Sequence, residues 1–597
     1  MDISEFMNIA DEFSPERLFR HVKTIGETWP ERLSGTEALN GAAGYVVDEL
    51  KSYGLDRVAL DEFEALVSLP VMSELVVLHP QFERLPSQAF AQIGNTPEEG
   101  IETELVYVGA GGLPDYQGRE VRGKIVLAEL SMAPPRPEKV RIATLKGAAA
   151  VVLCNWGPSF SEIVPMGTAK YVWGNPTPDN IEMMNVVPAI GISRKDGEHL
   201  IDLARRGPVR VRLKARATRE WKKLGQPWAR LEGKGDPDKF VLVGGHLDAW
   251  VQGITDNATG NALMLELARV LAKHRQKLRR SVEFAFWVGH ENGILEGSTW
   301  FVDHAWDRLN RNAVLYVNVD QPGMRGTSRY RIWSSPETRL WHGAIDRELV
   351  KNLKVENEPL VKISDQSFFG VGVPSVYPLT LYSAEEVSRW HGAIVGTYFH
   401  SRHDTLEHLD LDLLMAALRP ISAYVFDLCR RAVIPFEHET AAREILSRLE
   451  EYQARAGAHL DLRPLIENAG RLKAGASKLK EYAQDLASPC SGPEGERGRE
   501  WEGRVEIVNR CLIRLSRILT CVRAQVADRY EQDFYGLTGL DKPLPALGPV
   551  ERFREMERTG QDYKLLFTKM TRQRNRVSDA ISEAIWQIDN VFQLLND

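Results

Sequence analysis

Two histidines and three carboxylates, three of the five at the ends of apolar runs of this chain, could together hold metal ions. His246 follows the run Phe240–Val243 in G-G-H-L-D-A-W-V-Q-G-I-T-D-N-A-T-G, and Asp256 lies ten positions on. The run Val282–Val288 leads into G-H-E-N-G, which delivers Glu291. Ala313–Val319 ends in Asp320, and His400 stands in Y-F-H-S-R-H-D-T. Imidazole and carboxylate ligands suit zinc and neighbouring divalent ions, and an aspartate can bridge two of them. Residues at the carboxyl ends of strands are where open α/β sheets build their sites. The five therefore read as the ligand set of a two-metal hydrolytic centre.

Those positions require strands that alternate with helices. From Phe240 to about Pro435 the chain does alternate them, and Ala258–Ala272, apolar over much of its surface, should pack as a helix on the sheet. Before this, Ser14-Pro15-Glu16 is a helix start, a second helix covers roughly Gly41–Tyr53, and Arg57–Phe63 is strand-like. From about Leu66 to Ala217 the pattern changes to short apolar strands between Gly and Pro turns. The last part, from about Phe436, is helical and charged: Ile445, Leu449, Tyr452 and Ala456 repeat at helical spacing, as do Val577, Ile581, Ile585, Ile588 and Phe592. Ser488–Gly498 reads as a surface loop. The expected fold is α/β, with four segments at 1–65, 66–217, 218–435 and 436–597.

The run H-L-D-A-W-V-Q-G-x-x-D resembles the H-x-D-S-W-x-x-G-x-x-D signature of the dinuclear zinc aminopeptidase and glutamate carboxypeptidase family. That resemblance implies a mixed-sheet catalytic domain split between 1–65 and 218–435. It implies one metal on His246, Asp256 and Asp320 and another on Asp256, Glu291 and His400, with Asp248 orienting the first histidine. The order D-Y-x-G-x-x-V-x-G-K-I-V-L, G-A-A-A-V-V-L, V-P-A-I-G-I-S resembles a protease-associated domain, which makes 66–217 an insert that could roof the cleft. The segment 436–597 resembles the helical dimerisation domain of glutamate carboxypeptidases and the transferrin receptor, implying a homodimer.

Two positions depart from the family pattern. Where it reads W-D-A-E-E-x-G-L-x-G-S, this chain reads W-V-G-H-E-N-G-I-L-E-G-S, so His290 stands at the general-base glutamate. Phe399 stands where a tyrosine often precedes the last histidine ligand, with Tyr398 one step off. The stretch S-D-Q-S-F-F-G-V-G-V-P-S-V resembles the one that places Asp365 and Phe368 at the pocket rim. His391 and His403 lie near His400, and His391 is placed with the pocket residues. Free imidazole titrates near 6.5, so His290 could still carry a proton.

Length and charge exclude several alternatives. At 597 residues the chain should form two to four domains. A net charge of −7 and a pI of 6.1 offer no basic stripe for nucleic acid. There is no apolar run long enough to span a membrane. The five cysteines, Cys154, Cys429, Cys490, Cys511 and Cys521, show no C-x-x-C spacing and read as reduced thiols of a cytoplasmic protein. The start M-D-I-S-E-F-M-N-I-A-D-E-F lacks the pattern of a secretory signal. The expected cofactor is two divalent ions per chain, zinc foremost, with manganese, iron and cobalt also fitting. The expected partner is a small or short peptide-like substrate. Three functions remain: an amide or peptide hydrolase using His290, a repurposed lyase, isomerase or C–N/C–C hydrolase, and a receptor-like scaffold.

Overall fold

The computed structural model describes residues 3–130, 133–488, 496–535 and 543–596. Its centre is a mixed eight-stranded sheet: β1 (Arg57–Val67), β2 (Glu220–Leu231), β3 (Asp236–His246), β4 (Arg280–Trp287), β5 (Ala313–Asn318), β6 (Arg329–Ser334), β7 (Lys354–Pro359) and β8 (Ser375–Leu381). Their spatial order is β1-β2-β4-β3-β5-β8-β6-β7. The apolar runs singled out above are its central strands. β3 runs parallel to β4 (His246 opposite Trp287) and to β5 (Gly244 opposite Asn318). All eight residues of β4 and all six of β5 are buried, as expected for parallel strands covered on both faces. Because these strands are parallel and in register, their carboxyl ends lie side by side.

Helices cover the sheet. Thr259–Lys273 buries all but Arg269 and Lys273, so its wide apolar face lies flat on the strands. Pro15–Lys23 begins with the Ser14 side chain accepting from the Arg17 amide, and Glu37–Ser52 begins with Thr36 capping Leu39 in the same way.

Strands β1 and β2 form an antiparallel ladder that ends with Val67 opposite Glu220. The insert leaves and re-enters the sheet at this one end. It builds a second mixed eight-stranded sheet, with strands from Pro70–His79 to Val209–Ala217, and adds the helices Arg136–Leu145 and Arg194–Arg206. Its core, with Val126, Val152, Ile190 and Val211 at the centre, is separate from that of the catalytic sheet.

The C-terminal helices behave differently. Glu439–Ala456, Arg463–Leu486, Glu496–Ala524 and Gln561–Asn596 bury Leu449, Leu472, Leu515 and Ile581 in one cluster continuous with Val243, Phe284 and Leu315 of the sheet. Buried Arg517 reinforces that join by donating to the carbonyls of Leu309, Asn310, Ala313 and Gly372. Cys154, Cys429 and Cys511 are buried free thiols pushed up to about 12 by burial, and Cys521 is half-buried and free. Cys490 and most of the expected surface loop around it lie outside the described residues. No described helix is long and apolar enough to cross a membrane.

Candidate metal centre and its cavity

The ends of β3, β4 and β5, with the loop that carries His400, bring the five proposed ligands together. His246 Nε2 is 3.0 Å from Asp256 Oδ1 and 3.2 Å from Asp320 Oδ1. His400 Nε2 is 3.3 Å from Asp256 Oδ2 and 3.1 Å from Glu291 Oε2. Asp256 thus turns one oxygen to each of two clusters, each made of one imidazole and one further carboxylate. Asp320 and Glu291 are 6% and 3% exposed, so these charges are withdrawn from water. Burial opposes protonation of His246 and His400, yet the neighbouring carboxylates raise both above the ordinary histidine value.

Neighbours hold each group in place. The Asp248 carbonyl oxygen lies 3.0 Å from His246 Nδ1, which leaves Nε2 to face the carboxylates. The Asp248 carboxylate is 3.9 Å from that nitrogen and instead accepts from the amides of Glu291 and His290. Burial pushes it up to about 6. Trp250 donates to Glu291 Oε2 at 2.8 Å. Ser364 and Tyr377 both donate to Asp320 Oδ2. Asp404 accepts from the Thr255 and Asp256 amides and fixes the turn that carries Asp256. None of these supporting residues except Asp248 stood out in the sequence. Asp404, in H-D-T just after His400, was the most accessible to notice.

This donor set fits two divalent cations. Three carboxylates and two imidazoles converge, both Nε2 atoms are directed inward, and Glu291 Oε1 is buried without a hydrogen-bond partner. His246, Asp256 and Asp320 would hold one ion, and Asp256, Glu291 and His400 the other.

His290 lies against this cluster. Its ring stacks on His246 with centroids 3.9 Å apart and planes 14° from parallel. Nearly parallel rings send their in-plane lone pairs side by side, which is poor geometry for two imidazoles on one ion. His290 Nδ1 is 2.9 Å from Asp365 Oδ2, and Asp365 is fully buried. Burial and the His246 charge work against protonation of His290, but Asp365 outweighs them and lifts it to about 9.

A cavity of about 270 Å³ opens over the ligands, and Asp256, His290, Glu291, Asp320 and His400 form its floor. The insert supplies the opposite wall, including Leu130, Arg136 and Trp156, and Tyr535 reaches in from the C-terminal part. Phe399 lines the cavity as expected, with its ring stacked on His400 at 3.8 Å.

Four expected pocket residues lie elsewhere. Asp365 sits beneath His290 rather than at the rim, because its carboxylate is drawn to the imidazole. Phe368 is fully buried against Trp287 and Tyr316, where an apolar ring gains more than it would at a wet rim. Tyr398 stacks on His408 and exchanges a hydrogen bond with Tyr382. His391 is 41% exposed and 3.9 Å from Glu198 of the insert.

The insert's main contribution, Arg136, was not legible in the sequence. Its Nη2 is 3.5 Å from His400 Nδ1, its Nε is buried without a hydrogen-bond partner, and no carboxylate among the described residues pairs with it. Burial lowers its affinity for a proton. Gly167 makes room: a Cβ there would lie 1.9 Å from Arg136 Nη1. A second tie joins the insert to the loop carrying Glu291, since fully buried Lys170 donates to the Gly293 carbonyl and to Glu296.

Residues 228–425 match the profile of Peptidase family M28, and residues 101–200 match the PA domain. The chain is 26% identical over 503 residues to "Probable glutamate carboxypeptidase VP8" of Zea mays, covering 71% of this chain and 68% of that protein. It is 26% identical over 344 residues to "Aminopeptidase NAALADL1" of Rattus norvegicus, covering 50% of this chain but 44% of that protein. BSAP, a zinc aminopeptidase from Bacillus subtilis, superposes with a TM-score of 0.54 at 22% identity over 70% of this chain and 95% of its own, a likeness of fold.

Proposed function

We propose that this chain, an M28 peptidase domain interrupted by a PA domain, is a two-metal hydrolase of amide or peptide-like bonds in which His290 carries the proton. One observation supports this above the rest: Asp256 turns its two oxygens to two separate imidazole–carboxylate clusters, as a bridging ligand must. The ions would supply Lewis-acid polarisation of the scissile carbonyl and make the attacking water more acidic.

In this reading His290, by the motif resemblance, takes the position of a general-base glutamate. With Nδ1 on Asp365, its Nε2 is the nitrogen left to exchange protons in the cavity. It takes the proton of the attacking water and returns it to the departing nitrogen. Asp365 fixes the tautomer and stabilises the imidazolium that forms, the part a buried aspartate plays behind other catalytic histidines. Unlike a glutamate, His290 adds no negative charge beside the attacking oxygen. Phe399 has no hydroxyl, so the positive charge that stabilises an oxyanion is what the ions would supply. The unpaired guanidinium of Arg136 suits a carboxylate of the substrate.

A second reading draws on the same pair. Asp365 favours the protonated form of His290, and a site that begins with an acid in place of a base suits a lyase, an isomerase or cleavage of a C–N or C–C bond. A pure scaffold needs none of the five ligands. In this proposal the protein works as a homodimer joined through the C-terminal helices, where Leu565, Phe567, Trp586 and Leu594 are exposed. Elemental analysis of the purified protein together with turnover of a panel of N-acyl amino acids and dipeptides tests the main reading. Two ions per chain and at least one hydrolysed amide support it. Bound ions without hydrolysis of any amide favour the second reading, and a chain that binds no zinc or manganese would overturn both.

A further inference from the structure

Resting on the hydrolase reading, we infer that the cavity takes amides that join a single carboxylate to an aromatic or branched aliphatic group, and rejects those with an acidic side chain. Arg136 is the sole cationic side chain lining the cavity apart from the floor histidines, among the described residues. One guanidinium can hold one carboxylate in a bidentate pair. A second carboxylate would find no second guanidinium and would face an apolar wall.

That wall is built in advance. Trp333 stands on β6 and Leu379 on β8, and both belong to one buried cluster with Tyr377 and Val395. Ile363, Ile394 and Phe399 pack against the same cluster and also face the cavity. Trp156 of the insert closes the space, with its ring 5.8 Å from that of Phe399. The surface is therefore apolar, aromatic on both sides and anchored in a core, so little of it must be ordered when a ligand binds. Such a pocket gains by removing an apolar group from water, and the wall itself sets no charged group opposite the end of a glutamate or lysine side chain.

The test separates binding from turnover. Trp156 and Trp333 line the cavity, so their fluorescence reports occupancy. The metal-loaded protein is titrated with 3-phenylpropionate, which carries one carboxylate and one aromatic ring, and with glutarate, which carries two carboxylates and no ring. We expect 3-phenylpropionate to bind at least about 10-fold more tightly, the discrimination a few apolar groups provide in such pockets. Trp333→Ala and Phe399→Ala should each weaken 3-phenylpropionate and leave glutarate nearly unchanged, whereas Arg136→Met should weaken both. Equal or tighter binding of glutarate, or no detectable binding of 3-phenylpropionate at millimolar concentration, would overturn the proposal. Selective binding with no turnover of N-acyl-phenylalanine, N-acyl-leucine or N-acyl-glutamate would leave the ligand class standing and refute the hydrolase reading instead.

Discussion

The floor and the roof of the cavity are built on different terms. Four of the proposed floor ligands, His246, Asp256, Glu291 and Asp320, are each held by a further buried group of the catalytic part, whereas the His400 carbonyl accepts from the Met166 amide of the insert. The roof belongs to an insert with its own sheet and its own main core. It is joined to the floor by the buried Lys170–Glu296 pair, by hydrogen bonds from the Met166 and Gly174 amides to the His400 and Ile294 carbonyls, and by small shared apolar clusters such as Trp173 with Ile294 and Leu295. The C-terminal helices, equally remote in sequence, share one core with the sheet. A floor so constrained can set chemistry, while a roof with an independent core can vary in the groups it presents. In this molecule, the ligands lie on one side and Arg136 and Trp156 on the other.

The largest expected effect comes from cutting the shared core. A chain ended after Pro435 should be insoluble, because Leu449, Leu515 and their neighbours are no longer there to cover the sheet's helices. Soluble, cooperatively melting protein from that truncation would show that the catalytic sheet does not depend on the C-terminal helices for its core.

Asp256→Ala comes next, and it acts on the floor alone. Metal content should fall from two ions to one or none, with turnover down by about 10³-fold or more, since the Lewis-acid contribution is worth several kcal/mol. The melting temperature of the metal-free protein should fall as well, because buried His246 and largely buried His400 lose the carboxylate between them.

Lys170→Met tests the join between floor and roof. Removing one partner of a buried pair costs about 3–5 kcal/mol, because a buried charge is left alone. Glu296 is already raised from 4.5 to about 7 by burial, and without the ammonium it rises further. A group raised above its unfolded value loses stability as pH climbs from the unfolded value through the folded one. Denaturant melts should therefore show a variant deficit that is small near pH 5 and grows towards pH 8. A deficit independent of pH would mean that Glu296 stays ionised and finds another partner.

Arg136→Met is the mildest of these changes. KM for a carboxylate-bearing substrate should rise by about 10–100-fold, matching the loss of a charged hydrogen bond, with metal content untouched. An unchanged KM would place the anion elsewhere.

The same division decides what could be read from the chain. His246, Glu291 and Asp320, three of the proposed ligands, are legible because apolar strands announce their own ends, whereas Asp256 and His400 lie beyond any strand and rest on the motif resemblance. Helix starts at Ser14 and Thr36 carry local capping chemistry and need no tertiary knowledge, and the Thr36 cap sets the second helix going at Glu37, four residues before the expected start near Gly41. Arg136 could not be found in this way. It enters the cavity only because two separately folded sheets face each other and Gly167 leaves room, and no local pattern records that. Phe368 and Asp365 were misplaced for a related reason. Their stretch sits beside the site, but whether a side chain turns to the cavity or to the core depends on Trp287 and His290, which lie far away in sequence.

The proton carrier is the central claim, and His290→Ala with metal analysis on the same preparation tests it most directly. The account predicts two ions per chain, as in the natural protein, with turnover lower by about 10²–10⁴-fold, the usual consequence of losing a general acid or base. Turnover unchanged with both ions in place would contradict it and leave His290 as a ring that merely packs on His246.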